Sequence, residues 1–339
     1  MLTIEVSVQA DLDPVASHVL DEESLAAAPS HPSLRVTSLA GSVLSLGRYH
    51  LAPAGDPAGQ VCLHRRLGGG RVMPLGPGFA SLLLALPHRS ALVADDEFAL
   101  RPEQTLNRCV RGLLGGLRAL GVDAFYPGRD RITIDRRTVG LVSLECDARG
   151  ATVFEAALAI DGDWLALTDR VAAVDRDGVL AVEVPAADQF TSLAEHGARP
   201  SLAELARYVG ESYAGQFGIS LAAGPASIVP AGASAHAAPW LASRRQRAEL
   251  DRHVAEWGQV GVFEVYLRTA AGRIEDVLMA GDFIADSPSI ARLEQRLRGC
   301  TLSTAAVRSV IEGVYADARS FLLGVGMRQT LVDTIVSAA

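Results

Sequence analysis

Three consecutive glycines, Gly68 to Gly70, bracketed by Arg65, Arg66 and Arg71, constrain this chain more than any other stretch. Residues without a Cβ can turn successive backbone amides towards one point and let a second segment approach closely. Flanking arginines add planar, bidentate donors. The pattern points to a turn that closes around a carboxylate, an oxyanion or a phosphate. The bland alternative is a strand-connecting turn whose arginines face solvent. The same sequence contains no lysine, all 31 of its Lys and Arg residues being arginine, so chemistry that needs a side-chain amine is closed to it.

Several enzyme classes are excluded by what is missing. Neither the dinucleotide fingerprint G-x-G-x-x-G nor the phosphate-binding G-x-x-x-x-G-K-[ST] occurs, and H-E-x-x-H, S-x-x-K and G-x-S-x-G are also absent. The histidines show no ligand spacing, and Cys62, Cys109, Cys146 and Cys300 form no C-x-x-C pair, so neither a metal site nor a disulfide framework is expected. A net charge of -8 disfavours nucleic acid as a partner. No run approaches the roughly 18 apolar residues of a membrane span, and the N-terminus lacks a basic, then apolar, leader, which predicts a cytoplasmic protein with no membrane association.

At 339 residues the chain suggests two domains. Spacing of apolar residues predicts helices over 13–28, 102–121, 202–217, 287–297 and 303–317. Alternation predicts strands over 33–38, 41–46, 60–64, 124–126, 131–135, 138–144 and 152–160, a buried strand over 80–86, and a strand pair over 263–267 and 274–279. Residues 222–239, rich in Ala, Gly, Ser and Pro, read as a linker. Strands therefore follow one another as a meander rather than alternating with helices. The fold class expected is α/β (α+β), a mixed or antiparallel sheet over 1–240 and a small α+β unit over 241–339.

An ordered set of segments resembles the lipoate-protein ligase family: Gly47-Arg48-Tyr49-His50, Arg65-Arg66-Leu67-Gly68-Gly69-Gly70, Gly121-Val122, Gly128-Arg129-Asp130 and Arg137-Thr138-Val139-Gly140. The stretch from Gly272 to Phe283, followed by Leu293 to Gly299, is similar to that family's C-terminal accessory domain. The resemblance implies a catalytic domain shared with biotin ligases, which uses ATP and Mg to join lipoate or octanoate to AMP. The acyl group then goes to a lysine of a lipoyl-carrier domain, in a 2-oxo-acid dehydrogenase acyltransferase subunit or a glycine-cleavage H-type protein. It assigns Arg65, Arg66, Gly68, Gly69, Gly70, Gly140 and Asp130 to substrate and nucleotide binding, at the end of a hydrophobic acyl tunnel, and places Arg137 at the reacting centre.

Three positions depart from the family pattern. Its K-[IV]-x-G lysine is Arg137 here, which keeps a charge but changes a compact ammonium into a planar fork. Its G-R-N-D turn reads Gly128-Arg129-Asp130-Arg131, and its histidine-containing segment reads Gly150-Ala151-Thr152-Val153-Phe154-Glu155. The related octanoyl and lipoyl transferases carry the acyl group on a cysteine. That position falls near Ala151, and Cys146 is flanked by Glu145 and Asp147, which disfavour a thiolate. These departures keep open a non-catalytic protein that binds an acyl group, an adenylate or a carrier, and a ligase for a different carboxylate such as biotin. Glu22-Glu23 reads as a solvated helix face and Trp164 as a packing residue.

Overall fold

The computed structural model describes residues 2–26, 29–182, 186–225, 239–241, 243–244, 249–326 and 328–338. Its centre is a seven-stranded mixed sheet. The strands are β1 (Thr3–Leu12), β2 (Ser33–Leu39), β6 (Phe79–Leu86), β7 (Arg131–Ile134), β8 (Arg137–Cys146), β9 (Thr152–Ala159) and β10 (Ser220–Ala223), in the order β10-β1-β2-β6-β9-β8-β7. Only β1 pairs in parallel, with β10 and β2; the other pairs are antiparallel. A smaller sheet, β4-β3-β5, consists of β3 (Ser42–Leu46), β4 (Val61–Arg65) and β5 (Met73–Leu75).

Side chains alternate across a strand, so each strand of the large sheet presents two faces. Leu34, Val36, Leu82, Leu84, Phe154 and Leu158 point one way, into a core with α2 (Pro102–Ala119) and α4 (Leu202–Phe217). The spacing of Leu106, Val110, Leu113 and Leu117 on α2 is what buries that helix against them. Arg35, Thr37, Ser81, Leu83, Glu155 and Ala157 point the other way, towards the small sheet and α1 (Pro14–Ala26).

The C-terminal part builds a second core. Antiparallel β11 (Arg252–Gly258), β12 (Gly261–Ala270) and β13 (Arg273–Gly281) are covered by α5 (Ser287–Leu297), α6 (Thr304–Tyr315) and α7 (Arg328–Ser337). β14 (Ile284–Ala285) pairs with β15 (Leu322–Leu323). Tyr49 from the N-terminal part belongs to this core, stacked on Phe283 at 4.3 Å between ring centres.

Most expected elements form, within one to three residues at their ends. Residues 124–126 make only a single bridge, Phe125 to Thr133, because Pro127-Gly128 turns the chain away at once. β1, β5, β10, β11, β14, β15, α3 (Ala166–Val174) and α7 lie outside the expected elements, β10 overlapping the start of the expected linker. In β1, Ile4, Val6 and Val8 alternate with polar residues, the pattern of a strand. Residues 27–28 of the expected first helix and 226–238 of the expected linker lie outside the described residues. No helix among the described residues is long and apolar enough to cross a membrane.

Candidate functional site

The turn after β4 is held from inside by its own arginines. Arg65 is fully buried and donates to the carbonyls of Gly47, Arg48, His50 and Leu241 at 2.7–3.2 Å. Arg66, 5 % exposed, donates to the carbonyl and hydroxyl of Ser45, both at 3.1 Å. It also donates to the carbonyls of Gly69 and Arg71 at 3.2 and 2.7 Å. Neither arginine faces solvent, and every hydrogen bond just named goes to a protein oxygen. Burial, then Arg244, Arg48 and Arg66, makes Arg65 a weaker base than usual, although a guanidinium keeps its charge in a protein.

With those carbonyls drawn inward, two amides point the other way. Leu67 and Gly68 donate to the Glu155 carboxylate at 3.1 and 2.7 Å. The turn therefore does bind a carboxylate, and the carboxylate belongs to the protein. Burial raises the Glu155 pKa, against the pull of Arg66 and the two amides. A side chain at Gly68 would strike Ser143 Oγ at 2.2 Å, and one at Gly69 would strike the Phe283 carbonyl at 2.0 Å. The glycines thus serve two contacts, Glu155 with Ser143 on one side and the C-terminal part on the other.

That second contact is extensive. Gly70 donates to the Phe283 carbonyl at 3.0 Å, Tyr49 Oη to the Ala285 carbonyl at 2.9 Å, and Ser287 N to Glu145 Oε1 at 3.0 Å. His50 Nε2 and Asp282 Oδ1 lie 2.9 Å apart, both buried.

A cavity of about 30 Å³ lies between the large sheet and the small one, over Glu155 and beside the turn. Cross-strand register places its floor in two rows, Arg35-Leu83-Glu155-Ser143 and Thr37-Ser81-Ala157-Leu141. On the α1 side the wall is a buried ion pair of Asp21 with Arg35, which also donates to the Leu20 carbonyl and Ser24 Oγ. Burial lifts the Asp21 pKa to about 7 despite that partner, with Glu155 pushing the same way. His64 completes the wall. Burial lowers its pKa to about 3, so the ring is neutral, with Nδ1 3.1 Å from Ser45 Oγ and Nε2 without a partner. Much of the remaining lining is apolar, Leu39, Met73, Leu75, Leu83 and Leu141 among it, so the space is a small, largely hydrophobic cavity rather than a long tunnel.

Leu141 also lines a second cavity, with Arg71, Arg131, Trp164, Phe190 and Asp282. Asp130, 1 % exposed, accepts from Arg71 Nε at 2.9 Å, and its Oδ1 is buried with no partner. Two guanidiniums and an aromatic face fit the phosphates and base of a nucleotide in kind. Asp130 lies outside that lining, so Asp282 is the carboxylate at the cavity, and a Mg ion there would take its other oxygens from phosphates and water. No group of three or more His, Cys, Asp and Glu gathers for a metal among the described residues.

Arg137 stands apart from both cavities. Its Nη2 donates to the Phe190 carbonyl at 2.6 Å and to Glu195 Oε2 at 2.8 Å, and the side chain is one-third exposed. Gly140 points its missing side chain at Leu158 and the Ala157 carbonyl, on the helix-covered face. Of the expected residues, then, Arg66 lines the first cavity, Gly68 reaches it only through Glu155, and Asp130 lies behind Arg71 at the second. Arg65, Gly69 and Gly70 build the turn rather than line a cavity. Cys146 is buried, 3.2 Å from Thr152 Oγ1, with its pKa raised by burial. Trp164 packs edge-on against Phe79 and beside Phe190, and Glu22 pairs with His18 at 3.5 Å. Sequence reasoning missed Asp21, Arg35, His64 and Glu155. The available signal was a charged residue inside a strand with no exposed face, as in Val153-Phe154-Glu155-Ala156.

Residues 249–321 match the family model for the bacterial lipoate protein ligase C-terminus. No curated protein matches the sequence. Among solved structures, that of P. falciparum LipL1 in complex with lipoate superposes with a TM-score of 0.67 at 10 % identity, covering 98 % of each chain. A bi-partite lipoate protein ligase from Thermoplasma acidophilum, described with its E2 lipoyl domain, gives 0.53 at 14 %, over 72 % of this chain and 99 % of that one. A lipoate-protein ligase A bound with ATP gives 0.53 at 14 %, over 71 % and 94 %. The fold is that of lipoate-protein ligases.

Proposed function

We propose that this chain, a lipoate-protein ligase family member by its C-terminal segment and its fold, handles a carboxylic acyl group between its two N-terminal sheets. In the family's terms the acid is lipoate or octanoate. The observation that carries this reading is the seat of Glu155: two adjacent amides, at Leu67 and Gly68, already grip a carboxylate at 2.7–3.1 Å. An incoming acid takes that seat as Glu155 withdraws, and the amides then hold the oxygen on which charge develops. Arg66 keeps the turn in shape, and Arg71 and Arg131 receive phosphates in the adjoining cavity. ATP bound there supplies the adenylyl group, pyrophosphate leaving as the mixed anhydride forms. A lysine amine of a lipoyl-carrier domain attacks the acyl carbon and AMP leaves. Carrier domains of 2-oxo-acid dehydrogenase acyltransferases or of glycine-cleavage H-type proteins are the acceptors in this reading, and the cytoplasm the setting.

One observation favours a second reading, in which the protein binds an acyl group, an adenylate or a carrier without catalysis. Arg137, at the position of the family lysine, is engaged by Glu195 and the Phe190 carbonyl instead of facing either cavity. The deciding experiment is the intact mass of a lipoyl-carrier domain after incubation with this protein, lipoate or octanoate, and Mg-ATP, beside octanoyl-carrier protein without ATP. A mass gain that needs ATP supports the ligase. A gain without ATP moves the reading to a transferase. No gain, with octanoyl-adenylate still binding, supports the non-catalytic protein. Because Arg137 is held by Glu195 and the Phe190 carbonyl and lines neither cavity, Arg137→Ala should leave any transfer within about twofold; loss of transfer with an unchanged melting temperature would return Arg137 to the reacting centre.

A further inference from the structure

β11 leaves one edge of the C-terminal sheet open. It pairs only with β12, from Arg252 with Leu267 to Gly258 with Gly261, and the register is unbroken. The two-residue turn at Gln259-Val260 makes Gly258 and Gly261 a hydrogen-bonded pair, and such pairs recur at every second residue of an antiparallel ladder. Arg252, Val254, Glu256 and Gly258 therefore bond to β12, while His253, Ala255 and Trp257 turn their backbone N–H and C=O outwards. Among the described residues nothing pairs with those outward groups. Open edges are ordinarily guarded by a proline, a bulge or a covering loop, because they accept any strand that fits. β11 has no proline and no bulge, and five of its seven residues are exposed. Trp257, at 70 %, is the most exposed large apolar side chain among the described residues.

The side chains say which strand fits. Arg252 and Glu256 lie two residues either side of Val254, are both exposed, and have no ion-pair or hydrogen-bond partner for their side chains among the described residues. Let a second β11 run antiparallel to the first about a twofold axis through Val254. Arg252 then faces Glu256 of the second copy, and the symmetry repeats the pair. Both fall at positions without mutual backbone bonds, where facing side chains come closest. The outward backbone groups of His253 meet those of Ala255 of the second copy, again twice. Trp257 lies diagonally across from His253 of the second copy, within reach of an aromatic ring. Moving the axis one residue, to Ala255, sets Arg252 against Gly258 and Glu256 against Val254, and both ion pairs are lost. The strand is thus complementary to itself in one register.

We propose that β11 is an interface between two copies of this chain, paired antiparallel about Val254, which joins their three-stranded C-terminal sheets into one. Such a contact is isologous, each copy giving and receiving the same groups, and it closes at two. Exposed ion pairs are weak by themselves. Here they set the register, while backbone pairing and the cover given to Trp257 supply the attraction. No residue of β11 lines either N-terminal cavity, so the contact leaves both open and does not depend on the acyl reading.

The test is sedimentation equilibrium of the full chain over a concentration series, with Arg252→Glu and Glu256→Arg made separately. The parent is expected to dimerise as concentration rises. Each variant alone sets like charges opposite each other twice and should dimerise at least about tenfold more weakly. An equimolar mixture of the two variants restores both ion pairs and should recover the parent's dimer. Ala255→Pro removes an outward N–H, a change an edge strand tolerates, and should abolish the dimer. Both charge variants should melt with the parent, because the altered side chains are exposed and touch no partner. A parent that stays monomeric at every concentration overturns the proposal. So does a dimer that the charge variants leave unchanged, which would place the contact elsewhere. Variants weakened alone and not rescued by mixing overturn the antiparallel pairing about Val254.

Discussion

The two faces of the central sheet are made by the same strands and do opposite work. Along β2, Leu34 and Val36 face the helices while Arg35 and Thr37 face the cavity; along β9, Phe154 and Leu158 alternate with Glu155 and Ala157. The helix face is filled by large apolar side chains packed into one core. The cavity face sets Ser81, Ser143 and Ala157 beside the buried charges of Arg35 and Glu155 and leaves a cavity over them. A sheet buried on both sides can thus divide stability from recognition by residue parity, since one step along the strand changes sides.

The sharpest way to break this comparison is to shorten one residue on each face of β6. Leu84→Ala on the helix face should lose about 2–5 kcal/mol by denaturant unfolding, the ordinary cost of a core cavity. Ser81→Ala on the other face should stay within about 0.5 kcal/mol of the parent. Similar losses at the two sites would show that the faces are packed alike.

Glu155 tests what the cavity face binds. Glu155→Ala vacates the amides of Leu67 and Gly68, and carboxylates titrated calorimetrically should bind about tenfold tighter, or about 1.4 kcal/mol. Weaker binding would mean that the carboxylate shapes the turn rather than competing for it.

Glu145 lies on the same face, where Ser287 docks, and its pKa is raised to about 7 by burial, with Asp286 adding and Arg48 and Ser287 opposing. A raised acid adds stability below its unfolded pKa, about 4.3, and loses it as pH climbs through the folded value. The melting temperature of Glu145→Gln relative to the parent should therefore rise between about pH 4.3 and 7 and level off above. A difference that does not change with pH would mean that Glu145 does not titrate there.

The smallest effect belongs to Cys146, on the helix face. Its thiol is buried against Thr152 and held protonated by burial. Cys146→Ser should leave any acyl transfer, read by intact mass, within about twofold, because an uncharged thiol is a poor nucleophile. Loss of transfer would restore the cysteine mechanism.

Much of the fold was legible because alternation and helical spacing record burial directly. α2, α4 and α5 and most strands of the central sheet follow from them. β11 was not anticipated: it is a largely exposed edge strand whose residues carry little apolar signal. The glycine turn was legible as a backbone receptor, since only glycine permits Gly68 and Gly69 to be approached so closely. Its arginines were not, for a buried guanidinium and a solvated one look the same in sequence.

By itself the sequence determined the kind of chain this is: mixed α and β elements, a turn able to bind an anion, no lysine, and a resemblance spread over ordered segments. Those are properties of residue type and local spacing. Which groups meet was decided only in three dimensions. Glu155 reaches amides 87 and 88 residues away, Phe283 closes on Gly69 and Gly70 from the far end of the chain, and Glu195 engages Arg137. Strand order and register set those encounters, and register depends on how whole faces pack rather than on any single residue.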